Sequence, residues 1–156
     1  MPQPFDHTPV IPVLTIERVE DAIPLATALI EGGLNALEVT LRTPNALAVI
    51  EKIARELPDA LVGAGTVLRP ADVTAAKNAG AKFLVSPGLT QSLAAAGIVF
   101  CPTGGVTLEN AVEYLALPNV PVVGGTWIAN AEAIRNKDWS GILARAKQAA
   151  KLRLPH

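Results

Sequence analysis

One cysteine, two histidines and an aromatic share of 4% are what this 156-residue sequence has least of, and each shortage removes a class of function. Cys101 alone cannot close an internal disulfide, which fits a reducing, cytoplasmic setting. With His7 and His156 in the terminal segments, the chain offers no metal-ligand cluster, and neither a metal nor another cofactor is expected. Charge is sparse too. Only 17% of residues are charged and the formal net charge is -1, so no basic field exists to hold nucleic acid or an anionic membrane. No run approaches the ~20 apolar residues of a membrane span. The opening segment from Met1 to His7 has neither the basic patch nor the apolar core of a signal peptide.

What is abundant is apolar, β-branched sequence, at a hydrophobic share of 50%, enough for one domain with a sizeable core. Short apolar runs recur, and most are followed by a segment with helical periodicity, the pattern of βα units around a parallel sheet. The runs are Val10 to Leu14, Leu37 to Leu41, Ala60 to Gly65, Phe83 to Val85, Ile98 to Cys101 and Val120 to Val123. Helices are expected through Ala22 to Ile30, from Thr43-Pro44 with Leu47, Ile50, Ala54 and Leu57 inward, and from Pro70 to Gly80. A short one should pass through Leu93, Ala94 and Ala95, and another should follow a Thr107 cap with Leu108, Ala111, Val112 and Leu115 buried. A last helix should start near Trp139 with Ile142, Leu143, Ala146 and Ala149 inward. The count is about six βα units in a single domain over residues 1–156.

In such architectures the working residues gather at the C-terminal ends of the strands. On the second strand, alternation puts Leu37, Val39 and Leu41 on one face and Glu38, Thr40 and Arg42 on the other. A carboxylate and a guanidinium on the inner face of a parallel strand are costly unless paired or used. A structural ion pair is one reading. The functional reading gives Glu38 proton transfer, near a rim with partial solvent access, and gives Arg42 a carboxylate to hold in its planar fork. Two glycine turns, Thr103-Gly104-Gly105 and Gly124-Gly125-Thr126, follow the last two strands, where backbone N-H groups can approach a phosphate; ordinary tight turns are the alternative. Gly63-Ala64-Gly65 is no dinucleotide loop, because Leu68 stands where the third glycine belongs. Cys101 has no histidine nearby in sequence and reads as a buried, inert thiol.

Five motifs then stand in a recognisable order: Glu38-Val39-Thr40-Leu41-Arg42-Thr43, Gly63-Ala64-Gly65-Thr66-Val67-Leu68, Ser86-Pro87-Gly88-Leu89-Thr90, Cys101-Pro102-Thr103-Gly104-Gly105 and Gly124-Gly125-Thr126-Trp127. The sequence resembles the 2-keto-3-deoxy-6-phosphogluconate (KDPG) and 4-hydroxy-2-oxoglutarate (KHG) aldolases from about Pro9 onward. That resemblance implies an α/β fold of the (β/α)₈ TIM-barrel family, here an incomplete or contracted barrel, and a homo-oligomer, in the family a trimer. It implies a class I, Schiff-base lyase that cleaves KDPG to pyruvate and glyceraldehyde 3-phosphate without a metal. Carried over by motif, Glu38 resembles the family's general acid/base, and Arg42, Thr66 and Pro87 line its pyruvate-carboxylate pocket. Thr103, Gly104, Gly105, Gly125 and Thr126 resemble its phosphate-binding residues.

The sequence departs from the family between Gly97 and Ile98, where the family has two further βα units, the second bearing its Schiff-base lysine. Lys82 falls at the start of its strand, and Lys52, Lys77, Lys137, Lys147 and Lys151 fall on or beside helices, so none is placed to inherit that role. Two readings of another class follow: a non-catalytic phosphate or keto-acid binding domain, or a deletion-derived assembly scaffold.

Overall fold

The computed structural model describes residue 5, residues 8–85, residue 101 and residues 103–116 and 120–152. Among these, five parallel strands form one sheet in the order β4-β3-β2-β1-β5. They are β1 (Val10–Leu14), β2 (Ala36–Thr40), β3 (Leu61–Gly65), β4 (Phe83–Leu84) and β5 (Val123–Gly125). Thr103 makes one further parallel bridge to Gly124, placing Thr103 beside β5. The expected strand from Ile98 and the helix through Leu93, Ala94 and Ala95 lie outside the described residues, as does Pro87.

The helices are α1 (Ala22–Glu31), entered through a 3-10 turn, then α2 (Ala46–Glu56), α3 (Pro70–Asn78), α4 (Ala111–Leu115), α5 (Ala131–Arg135) and α6 (Trp139–Ala150). One sheet face carries Leu14, Leu37, Val39 and Val62, which form the main core with Leu25 and Leu29 of α1, Ile50 and Ile53 of α2 and Ile142 of α6. The face assignment read from β2 therefore holds. The opposite face carries a smaller apolar cluster of Ile11, Ala36 and Val122, against which Phe5, Leu61, Phe83 and Cys101 pack. Contributions to that cluster come from Phe83 of the end strand β4 and from Val122, the residue before the other end strand, β5.

Four local expectations are corrected. Helix α2 starts at Ala46 after Asn45, not at Thr43-Pro44, because the Thr43 hydroxyl donates instead to the Ile16 carbonyl and the Asn45 amide to that of Glu17. Its buried stripe is Ala46, Val49, Ile50 and Ile53, and Leu47 turns outward at 37% exposure. Helix α4 is one short turn: Thr107 and Asn110 bond each other ahead of it, and Val112 faces solvent. Helix α5 was not foreseen, although its signal was present, since the Asn130 side chain caps it by accepting from the Ala133 N-H at 2.8 Å.

The fourth correction concerns the second glycine turn. Gly124 and Gly125 belong to β5, pairing in register with Ile11 and Pro12. A Cβ on Gly124 would meet the Thr103 side chain, and one on Gly125 the Trp127 ring. These glycines let neighbouring side chains cross the strand; they do not bend the chain.

Candidate active site

Every strand runs in the same direction, so the strand C-termini share one end of the sheet, and the candidate residues of β2 and β3 collect there. Glu38 stands opposite Gly63, and Thr40 opposite Gly65. The Glu38 side chain leans toward the C-terminal end across β3, and a Cβ on Gly65 would occupy the position of its carboxylate. Glycine at 65 is thus a condition for the carboxylate to lie where it does. Glu38 is not partly open to solvent as expected: it is only 3% exposed, and its Oε2 has no hydrogen-bond partner among the described residues. Burial pushes its pKa up from the ordinary 4.5 to about 7, against an opposing pull from the Arg42 charge.

An uncompensated buried carboxyl is unstable when ionised and useful when a proton must move. Its surroundings are ordered. Thr40 donates its hydroxyl to the Leu14 carbonyl at 3.0 Å and lies 3.0 Å from the Thr15 hydroxyl, tying the ends of β1 and β2 together. Beyond the strand, the Arg42 Nε donates to the Thr66 hydroxyl at 3.2 Å. Thr66 holds φ at 59°, a left-handed conformation that costs a β-branched residue energy. That turn directs the first residue after β3 toward Arg42. The rest of the exposed Arg42 fork has no hydrogen bond within the described residues.

The glycine-loop candidates sit on neighbouring elements. Gly104 and Gly105 both have positive φ, 89° and 71°, and among the described residues nothing lies within 4 Å of where their Cβ atoms would be. Successive residues of this kind expose backbone N-H groups in a shallow concavity suited to an anion. Thr126 is exposed directly after β5, and the Thr103–Gly124 bridge brings the two loops side by side. Gly125 is buried within β5. Thr103 accepts no role in catalysis from its bonds: its hydroxyl donates to the Cys101 carbonyl at 3.2 Å.

Cys101 is half-buried, with its thiol pushed up to about 11, first by burial and also by the charge of Glu38. A thiol held protonated in this way is a poor nucleophile, in keeping with the inert reading. No group of three or more metal-ligating side chains occurs among the described residues. Among the same residues, no helix is long and apolar enough to cross a membrane.

Comparison with known proteins gives this arrangement its context. The family model for KDPG and KHG aldolase matches residues 3–99 and 94–145. The chain belongs to the KDPG and KHG aldolase family. It is 39% identical to the 2-dehydro-3-deoxy-phosphogluconate aldolase of Pseudoalteromonas atlantica, over 93% of this chain and 91% of that protein. To the KHG/KDPG aldolase of Escherichia coli K12 it is 35% identical, over 92% and 91%. Among solved structures, a KDPG aldolase from Legionella pneumophila, with pyruvate captured at low pH as a covalent carbinolamine intermediate, superposes with a TM-score of 0.85 at 38% identity, covering 92% of this chain and 94% of that one. The alignment to the Pseudoalteromonas enzyme runs over 196 positions, 40 more than the 156 residues of this chain.

Proposed function

We propose that this chain acts as a KDPG/KHG-aldolase-type lyase, breaking the C3–C4 bond of a phosphorylated 2-keto-3-deoxy sugar acid to give pyruvate and glyceraldehyde 3-phosphate. The observation that carries the reading is Glu38: a buried carboxyl, its Oε2 without a hydrogen-bond partner among the described residues, with a pKa of about 7 toward the C-terminal end of β2. Aldol cleavage needs a base for the C4 hydroxyl and then an acid for C3 of the three-carbon fragment. A carboxyl with a pKa near the working pH serves both turns.

In this reading Arg42 grips the substrate carboxylate with the fork edge that Thr66 leaves open, and Thr66 adds a hydroxyl beside it. Pro87 is assigned to the same pocket by motif alone. Gly104 and Gly105, with Thr103, Gly125 and Thr126 around them, receive the phosphate at the other end of the substrate. The strands are taken to curl into a contracted barrel, a reading supported by Phe83 of β4 and Cys101 packing on one apolar cluster with Val122, the residue before β5. The homotrimer implied by the resemblance belongs to the same proposal, and Leu68, 68% exposed beside the site, is apolar surface that assembly could cover.

The test is cleavage of KDPG coupled to pyruvate reduction. Glu38→Gln should lower turnover by about 100-fold or more, and Arg42→Ala should act mainly on KM. Unchanged turnover in the Gln variant would remove Glu38 from the chemistry.

A further inference from the structure

The sheet order sets where each part of the proposed substrate lies. Arg42 and Thr66, which take the carboxylate, follow β2 and β3. At the phosphate end, Thr126 follows β5, and Gly104 and Gly105 follow Thr103, which bridges to Gly124 of β5. Strand β1 stands between β2 and β5, so a substrate stretched between the two ends passes over the C-terminal end of β1. The first residue after that strand is Thr15, half-buried, whose hydroxyl the aldol chemistry above leaves unused.

Thr15 faces the same side of the sheet as Glu38. Val13 stands opposite Glu38 and Leu14 opposite Val39, so the register continues from Thr15 to Thr40. Side chains in register on parallel strands point to one face, here the face that Glu38 and Thr40 share. The 3.0 Å contact between the Thr15 and Thr40 hydroxyls agrees with that placement.

The direction of this contact is decided by a third atom. The Thr40 hydroxyl has one proton, and it goes to the Leu14 carbonyl at 3.0 Å, because a carbonyl can only accept. In the Thr15 to Thr40 contact the proton must then come from Thr15. Thr40 itself is only 1% exposed and is closed to a ligand. What Thr15 has left to offer is oxygen lone pairs, with no further side-chain hydrogen bond among the described residues. The backbone after it is also pinned: the Thr43 hydroxyl donates to the Ile16 carbonyl and the Asn45 amide to that of Glu17, each at 2.7 Å. An acceptor held in this way favours a ligand hydroxyl, which can donate, over a ketone or carboxylate oxygen, which cannot.

We propose that Thr15 is a specificity residue of this site, accepting a hydrogen bond from the C5 hydroxyl of the phosphorylated keto acid. That hydroxyl stays with the aldehyde fragment as the C2 hydroxyl of glyceraldehyde 3-phosphate. The proposal rests on the lyase reading above. C5 is the match because Glu38 takes the C4 hydroxyl and C6 carries the phosphate, so C5 bears the remaining hydroxyl between the two ends.

The experiment is calorimetric titration of the full chain with 3-phosphoglycerate, which has this hydroxyl and phosphate, and with 3-(phosphonooxy)propanoate, which lacks only the hydroxyl. The unmodified chain should bind the hydroxylated compound about five- to tenfold more tightly, as one additional hydrogen bond allows. Thr15→Val should lose that preference while holding the deoxy compound within about twofold, and Thr15→Ser should restore it. Aldol addition of pyruvate to glyceraldehyde 3-phosphate and to 3-oxopropyl phosphate should show the same split in kcat/KM. Equal affinity of the unmodified chain for the two acids, or a preference that survives in Thr15→Val, would overturn the proposal and leave the lyase reading standing. So would equal losses on hydroxylated and deoxy compounds, which mark a residue that only ties β1 to β2. Binding of neither acid would overturn the proposal together with the phosphate end of the lyase reading.

Discussion

At the residue scale, the molecule places its least comfortable group where chemistry is expected. The sequence alternation on β2 was enough to find Glu38 and Arg42, because period-two patterning decides which side chains share a face. The extent of Glu38 burial was not legible, since it depends on Gly65 making room across the neighbouring strand. A pH prediction follows. The unfolded chain releases the Glu38 proton near 4.5 while the folded chain keeps it to about 7, so between those values the folded state binds more protons and loses stability as pH rises. Glu38→Gln escapes that loss. Denaturant midpoints of the two proteins should coincide at pH 4 and separate up to pH 7.5, with the variant more stable by at most about 3 kcal/mol. Identical pH dependence would mean the carboxyl is better solvated than its burial indicates. Gly65→Ala should displace the same carboxylate, and a fall in turnover with the fold retained by circular dichroism is the expected signature.

At the element scale, the strands β1 to β4 and the helices α1, α3 and α6 were readable from apolar runs and helical spacing, whereas element ends were set by hydrogen bonds that spacing does not encode. Thr43 and Asn45 illustrate this: both look like start signals for α2, yet both side chains are used to hold the loop after β1. The outcome is measurable. Ile50→Ala should cost about 2–5 kcal/mol, while Leu47→Ala, at an exposed site, should stay within about 1 kcal/mol. Near-equal losses would restore the original register of the helix. The glycines of β5 were misread for a related reason, since a Gly-Gly pair signals a turn or a close approach, and only the neighbours Thr103 and Trp127 decide between them. Asp138 caps α6 through the Gly141 N-H at 2.9 Å, and Asp138→Ala should lower stability by about 1 kcal/mol.

At the scale of the whole molecule, the parallel α/β sheet was visible in recurring apolar runs and the family in five ordered motifs, while closure was not, because it depends on strand count and register together. The candidate site residues Glu38, Arg42 and Thr66 stand together at the C-terminal ends of β2 and β3. The central claim is that the Glu38, Arg42 and Thr66 cluster is a 2-keto-acid site, and a calorimetric titration with pyruvate tests it most directly. Saturable one-to-one binding, weakened at least about tenfold in Arg42→Ala through loss of a charge-assisted pair, is the predicted result. Absence of binding, or equal affinity in the variant, would contradict it.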